Sequence, residues 1–168
     1  MLGLLPAATP IDVLFTAHCT PLFDWHSVGL FYSFYASGQH GNITRLLACS
    51  EAEQAKYPKA NLEIGPTFVH RNHGRVQHQR DDGGRPAPHG SRQSDMSPSY
   101  NKPGSIMHWV QESEEAKHVD YVLYIDADML LRLPLDPIKM GVKPGVVVSE
   151  HVGYLDTGLR NGLASEFL

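Results

Sequence analysis

Two aspartates one residue apart, Asp126 and Asp128, end the apolar run Tyr121-Val122-Leu123-Tyr124-Ile125, and Met129-Leu130-Leu131 follows them. The run is partly β-branched and bounded by Asp120, Arg132 and Pro134. It predicts a buried strand of a sheet covered on both faces. Ionised carboxylates inside such a structure are costly unless they are paired or hold a metal. The C-terminal ends of strands are where ligands of open α/β sheets bind, so the pair marks a candidate site. Hard oxygen ligands on one short turn suit Mg²⁺ or Mn²⁺, ions that share their shell with substrate phosphates. The plainer reading is a surface turn whose aspartates are solvated or cap a helix. The apolar run in front of them favours the metal site.

Three further residues could meet an anionic ligand. Thr16 ends an apolar run and would face a nucleotide in such a sheet, or simply close a strand. Arg45 offers a planar fork to a diphosphate, or forms a structural ion pair. Lys102 precedes Pro103 at a predicted helix start, where helix N-termini favour phosphates; its alternative is a solvated loop lysine. Asp24 and Trp25 read as an N-cap followed by a core aromatic. His108 and Trp109 read as helix-packing residues. The spacing of His70, His73, His78 and His89 fits no closed zinc pattern, and no cysteine lies among them, so a solvated loop is expected there.

The elements that must position these groups follow from periodicity. Residues 11–16 and 43–49 are strand candidates. Residues 25–35 carry apolar residues near a helical period (Trp25, Val28, Gly29, Phe31, Tyr32, Tyr35), ended by Gly38. Ser50 with Glu51 and Glu53 opens a short helix. Residues 61–69 form a third strand or extended segment. Residues 70–99 are rich in Arg, His, Gly, Pro and Ser and are expected to be irregular and exposed. Helical patterning resumes after Pro103, with Ile106, Trp109 and Val110 on one side. Val146-Val147-Val148 predicts a further short strand. Strand, helix, strand, helix, strand is an α/β order with a mainly parallel sheet.

The chain has 168 residues, 42% hydrophobic and 19% charged, with a net charge of −4. That is enough for one domain with a core. It gives no general reason to expect nucleic acid binding. No apolar run approaches the roughly 20 residues that span a bilayer. The two cysteines, Cys19 and Cys49, are either buried thiols or, in a secretory compartment, a disulfide. Asn42-Ile43-Thr44 fits a glycosylation sequon, which matters only in that compartment.

Four blocks together resemble a known family. They are Phe15-Thr16-Ala17-His18-Cys19 with Phe23-Asp24-Trp25 and Val28-Gly29-Leu30; Gly41-Asn42-Ile43-Thr44-Arg45-Leu46-Leu47-Ala48-Cys49; Asn101-Lys102-Pro103 with His108-Trp109; and Val119-Asp120 through Asp126-Ala127-Asp128-Met129, joined later by Gly153-Tyr154-Leu155. In order and approximate spacing they resemble the plant and algal hydroxyproline O-arabinosyltransferases and peptidyl serine α-galactosyltransferases. The resemblance implies a GT-A-like, Rossmann-like sheet flanked by helices, with residues 11–168 as a partial domain carrying an insertion at about 70–99. It implies a metal-dependent glycosyltransferase using a nucleotide-diphosphate sugar, with hydroxyproline or serine of extensin-like proteins as acceptor. Asp126 and Asp128 match the family's metal-binding pair, with Mn²⁺ or Mg²⁺ as the cation, and Asp126 joins Thr16, Arg45 and Lys102 as nucleotide-sugar contacts. The endoplasmic reticulum or Golgi is the implied compartment, with membrane attachment only through an anchor outside this chain. In a luminal protein a Cys19–Cys49 disulfide is favoured.

Family members continue past Leu168, so the resemblance also implies a C-terminally truncated domain. Two other classes compete. One is a non-catalytic remnant that keeps the sheet. The other is a haloacid-dehalogenase-like phosphatase, which also sets Asp-x-Asp at a strand end but opens its domain with it; here more than a hundred residues precede the motif.

Overall fold

The computed structural model describes residues 9–74 and 98–149. The chain divides into two units, Met1–Asp136 and Pro137–Leu168. The described residues of the first hold four strands: β1 (Asp12–His18), β2 (Ile43–Cys49), β3 (Thr67–Arg71) and β4 (Val122–Asp126). They form one sheet in the order β3-β2-β1-β4, every pairing parallel. The helices are α1 (Pro21–Ser37), α2 (Glu51–Gln54), α3 (Lys59–Leu62) and α4 (Asn101–Glu112).

Alternation along the central strands explains the layering. Val13, Phe15 and Ala17 turn to one face, with Ile43, Leu47 and Cys49 beside them, and α1 covers them with Leu30, Phe31 and Phe34. Leu14 and Leu46 turn to the other face and meet Trp109 of α4, with Phe68, Ile106 and Tyr124 at the margin. A sheet buried on both faces reads as continuous apolar runs, as β1 and β2 do. The α/β class and the adjacency of the three predicted strands therefore hold.

α1 stops where the sequence places its breaker. Gly38 adopts φ 72°, and its N–H bonds back to Phe34 and Tyr35 carbonyls. This is the left-handed C-terminal cap that glycine takes without steric cost. Gly41, at φ 110°, permits the turn into β2; a Cβ there would stand 2.2 Å from the Ile11 carbonyl oxygen. Ser50 and Glu53 form a reciprocal capping box on α2, as the Ser-x-x-Glu spacing requires. Cys19 and Cys49, at the ends of β1 and β2, are joined in a disulfide with a Cα–Cα separation of 5.5 Å.

Several sequence expectations change. Asp24 is not the N-cap of α1; Thr20 is, and Asp24 lies in the first turn and is buried. Trp25 is no core residue but 76% exposed, and Tyr32 and Tyr35 are exposed with it. α1 is apolar around most of its circumference, so periodicity alone does not choose the face that packs. Val110 is likewise exposed, while Trp109 is fully buried. β4 is an edge strand among the described residues and is only half buried. Residues 61–69 hold the end of α3 and the start of β3. The polar stretch expected to be irregular from residue 70 instead begins inside β3, with His70 buried, because the ladder to β2 runs on to Arg71. A 3₁₀ turn, Pro98–Tyr100, leads into α4. The rest of the expected insertion, residues 75–97, lies outside the described residues.

In the second unit, residues 137–149 form a turn closed by Gly141 N–H to Ile138 O and Val142 N–H to Pro137 O. Val146 makes an isolated bridge with Lys143. No strand forms at residues 146–148, because among the described residues the bridge acquires no second pairing and a strand needs a ladder. Gly153-Tyr154-Leu155 lies outside the described residues.

Candidate functional site

Strand order decides where a ligand can sit. β1 leads through α1 to β2 on one side, while β4 is laid on β1's other side after α4 crosses back. The order reverses between β1 and β4, and the crevice beyond the carboxyl ends of strands at such a switch is the binding position of open α/β sheets. Thr16 and Asp126 are register partners across that gap.

A cleft of ≈ 240 Å³ opens there, lined among others by Thr16, His18, His26, Lys102, Asp126 and Asp128. Asp126 closes β4, and the turn after it, fixed by Met129 N–H to Asp126 O at 3.1 Å, carries Asp128 into solvent. The buried Ala127 roots that turn in the core. Lys102, in the first turn of α4, sets its Nζ 2.6 Å from Asp126 Oδ1. The hydrogen bond to Asp126 holds the Lys102 ammonium above its ordinary pKa, against a smaller opposing effect of burial. Tyr124 donates its hydroxyl to Thr16 Oγ1 at 3.0 Å. Burial, the largest influence on Tyr124, raises its pKa and keeps the phenol protonated as that donor.

Two histidines complete the walls, and sequence reasoning had not marked either as a site residue. His18 packs beside Phe23 with its ring tilted by 50° and is held below its ordinary pKa by burial, opposed by the carboxylate of Glu53. It is therefore a neutral ring at neutral pH. Nδ1 of His26 is buried without a hydrogen-bond partner. The available signal was positional: His18 ends β1 two residues after Thr16, and His26 lies on the helix that follows.

Arg45 lies elsewhere. Its side chain is fully buried, with Nη1 3.3 Å from Asp24 Oδ1, Nη2 donating to the Asn61 carbonyl at 2.6 Å and Nε to Thr67 Oγ1 at 3.1 Å. Asp24 also accepts from Asn61 Nδ2 at 2.8 Å and from the Tyr57 hydroxyl. The structural ion pair left open by the sequence is the arrangement present. Thr16, Lys102, Asp126 and Asp128 share the cleft; Arg45 ties α1, β2 and the segment before β3 together.

A parallel, helix-flanked sheet with a lysine and two carboxylates at its switch point is an open α/β domain with a candidate ligand crevice at the usual place. Comparison with characterised proteins narrows this. The chain is 40% identical over 148 residues, 86% of its length, to a peptidyl serine alpha-galactosyltransferase of Arabidopsis thaliana. It is 35% identical over 156 residues, 93% of its length, to a peptidyl serine alpha-galactosyltransferase of Chlamydomonas reinhardtii. The chain belongs to the family of these proteins, and it spans 16% and 19% of their respective lengths. No protein-family model matches it, and no solved structure matches it.

Proposed function

We propose that this chain is the donor-binding part of a glycosyltransferase that moves a sugar from a nucleotide-diphosphate donor to serine of a protein acceptor. The convergence of Lys102, Asp126 and Asp128 on one cleft at the switch point carries the reading. The names of its relatives favour galactose and serine; hydroxyproline of extensin-like proteins is the other acceptor implied by the resemblance. The Cys19–Cys49 disulfide agrees with an oxidising compartment such as the endoplasmic reticulum or Golgi lumen.

The donor set suits a hard divalent cation. One half-exposed and one exposed carboxylate open on a wet cleft, leaving the remaining positions to water and phosphate oxygens, as Mg²⁺ and Mn²⁺ require. Asp126 and Asp128 would hold the cation, which when bound neutralises charge on the departing diphosphate. The chain's own groups do the rest. Lys102 offers a mobile positive charge to phosphate, and the first-turn amides of α4 add the helix dipole. Thr16, oriented by Tyr124, supplies a fixed hydroxyl at the cleft wall. The His26 ring and the neutral ring of His18 stand side by side in the cleft wall.

The test is Asp128→Ala in the full-length protein. An exposed carboxylate contributes little to stability, so the melting temperature should stay nearly unchanged. Mn²⁺-dependent transfer to a serine peptide should fall at least about a hundredfold, since one hard ligand to the cation is lost. Undiminished turnover would sink the assignment.

A further inference from the structure

At the other edge of the sheet, three histidines meet. His70 is the penultimate residue of β3, His73 follows it by three residues, and His108 reaches them from α4. One ring nitrogen from each lies within 4.8 Å of the others. The ring centroids are 5.7 Å apart for His70–His73 and for His70–His108, and 4.7 Å for His73–His108. Nε2 of His73 and Nδ1 of His108 are both buried and have no hydrogen-bond partner. Two orphaned nitrogens at one spot are costly unless something fills the gap between them.

His70 is preset for the same task. Its Nδ1 lies 2.8 Å from the Arg71 carbonyl. A carbonyl only accepts, so Nδ1 carries the proton and Nε2 carries a lone pair. A backbone carbonyl fixing the far ring nitrogen is the usual support of a metal-bound imidazole. Nε2 faces Ser105 Oγ at 2.8 Å, while that hydroxyl is 2.5 Å from the Asn101 carbonyl. Ser105 has one proton for these two acceptors. The Asn101 carbonyl stands in the first turn of α4, where the helix backbone already serves it, so a cation on Nε2 requires only that the hydroxyl turn wholly to that carbonyl. Burial pushes His70 down to about 4 and also lowers His73, with His108 as the next cause, so both are neutral imidazoles at neutral pH.

Close packing also marks the spot. A Cβ on Gly104 would stand 2.6 Å from the His73 ring, so α4 lies against that ring at a distance only glycine allows. Asn101 accepts the backbone N–H of His73 at 2.6 Å and donates to Asn72 Oδ1 at 3.0 Å, holding the turn that carries His73.

We propose that His70 Nε2, His73 Nε2 and His108 Nδ1 bind one zinc-class divalent cation, which clips the C-terminal end of β3 to α4. Three imidazoles with no carboxylate among them favour Zn²⁺ or a similar borderline ion over Mg²⁺ or Mn²⁺. Ligand nitrogens around a tetrahedral Zn²⁺ at ~2.05 Å stand about 3.3 Å apart, so the three rings close inward by about an ångström on binding. Water can fill the fourth position. The site shares no ligand with the acidic cleft, although Asn101 stands between the two, its Nδ2 3.4 Å from His18 Nδ1.

The experiment uses untagged chain, stripped with chelator and then given Zn²⁺ or Co²⁺. One equivalent of Zn²⁺ should remain after gel filtration, and Co²⁺ should give the visible absorption of a four- or five-coordinate nitrogen site. Added Zn²⁺ should raise the melting temperature by several degrees, and Mg²⁺ should not do so through this cluster. His73→Ala and His108→Ala should each lose the retained metal and the Co²⁺ spectrum, whereas Asp128→Asn keeps both. Wild-type protein that retains no Zn²⁺ and gives no such spectrum overturns the proposal, whatever the variants do. Equal Zn²⁺ retention in folded His73→Ala and His108→Ala also overturns it.

Discussion

The ammonium of Lys102 stands 2.6 Å from Oδ1 of Asp126, joining the first turn of α4 to the last residue of β4. Their side chains are 47% and 39% exposed, and ion pairs in that setting contribute at most about 1 kcal/mol. The pair does little for the fold, and its position at the switch point gives it a different consequence.

Lys102→Met should change the free energy of unfolding by less than about 1 kcal/mol. It should weaken nucleoside diphosphate binding about tenfold or more, the worth of a charge-assisted hydrogen bond to phosphate. Urea titration and calorimetric binding on the same preparations separate the two effects. Unchanged affinity would remove Lys102 from the donor site.

Arg45→Ala should do the reverse. It leaves Asp24 buried without its cation and the Asn61 carbonyl without its donor. Removing one partner of a buried pair costs about 3–5 kcal/mol. Equilibrium denaturation should show that loss, with a conservative Arg45→Lys recovering only part of it, because an ammonium cannot reach three partners in a plane. A loss below about 1 kcal/mol would show the pair to be dispensable.

Tyr57 gives a pH signature. Burial first, then its hydrogen bond to Asp24, pushes its pKa up to about 12 from 10.0. A raised folded-state pKa means the folded chain holds this proton more tightly. The associated stability is fully present below pH 10 and is lost as pH rises from about 10 to 12. The stability difference between wild type and Tyr57→Phe should be flat below about pH 9 and narrow above 10. Denaturant melts across that range check it, and a flat difference up to pH 12 would contradict the assignment.

The disulfide closes a loop with a sequence separation of 30 between the ends of β1 and β2. Cys19→Ser with Cys49→Ser should destabilise the chain by about 3 kcal/mol, the usual scale for a loop of that length. Thermal melts of the wild type with and without reductant should differ, while the double variant should be insensitive to reductant. A wild type equally stable when reduced would refute this.

What the sequence made legible was local. β2 falls on residues 43–49 as read, because its apolar run is continuous and bounded by Gly41 and Ser50. β1 and β4 differ from their predicted ends by a residue or two for the same reason. Thr16, Asp126 and Asp128 were marked by one rule about strand ends, and Lys102 by its place at a Pro-led helix start; the structure brings the four to one cleft. What escaped depends on partners far along the chain. Arg45 is decided by Asp24, Asn61 and Thr67, none of them adjacent in sequence. Tested only against neighbours within their own loop, His70 and His73 fitted no metal pattern; the third histidine is 35 residues beyond His73, on a helix. The packed face of α1 was illegible because the helix is apolar nearly all round, so Trp25 and Tyr32 offered themselves as core when Leu30 and Phe34 fill it.

One helix serves two addresses. α4 carries Lys102 toward Asp126 and, farther along, Ser105 and His108 toward His70. Thermodynamic linkage then makes the two ends reciprocal. If a cation among the histidines strengthens phosphate binding at Lys102 by some factor, phosphate at Lys102 must strengthen cation binding by the same factor. Zinc affinity measured with and without a nucleoside diphosphate would thus report on the far cleft without any turnover.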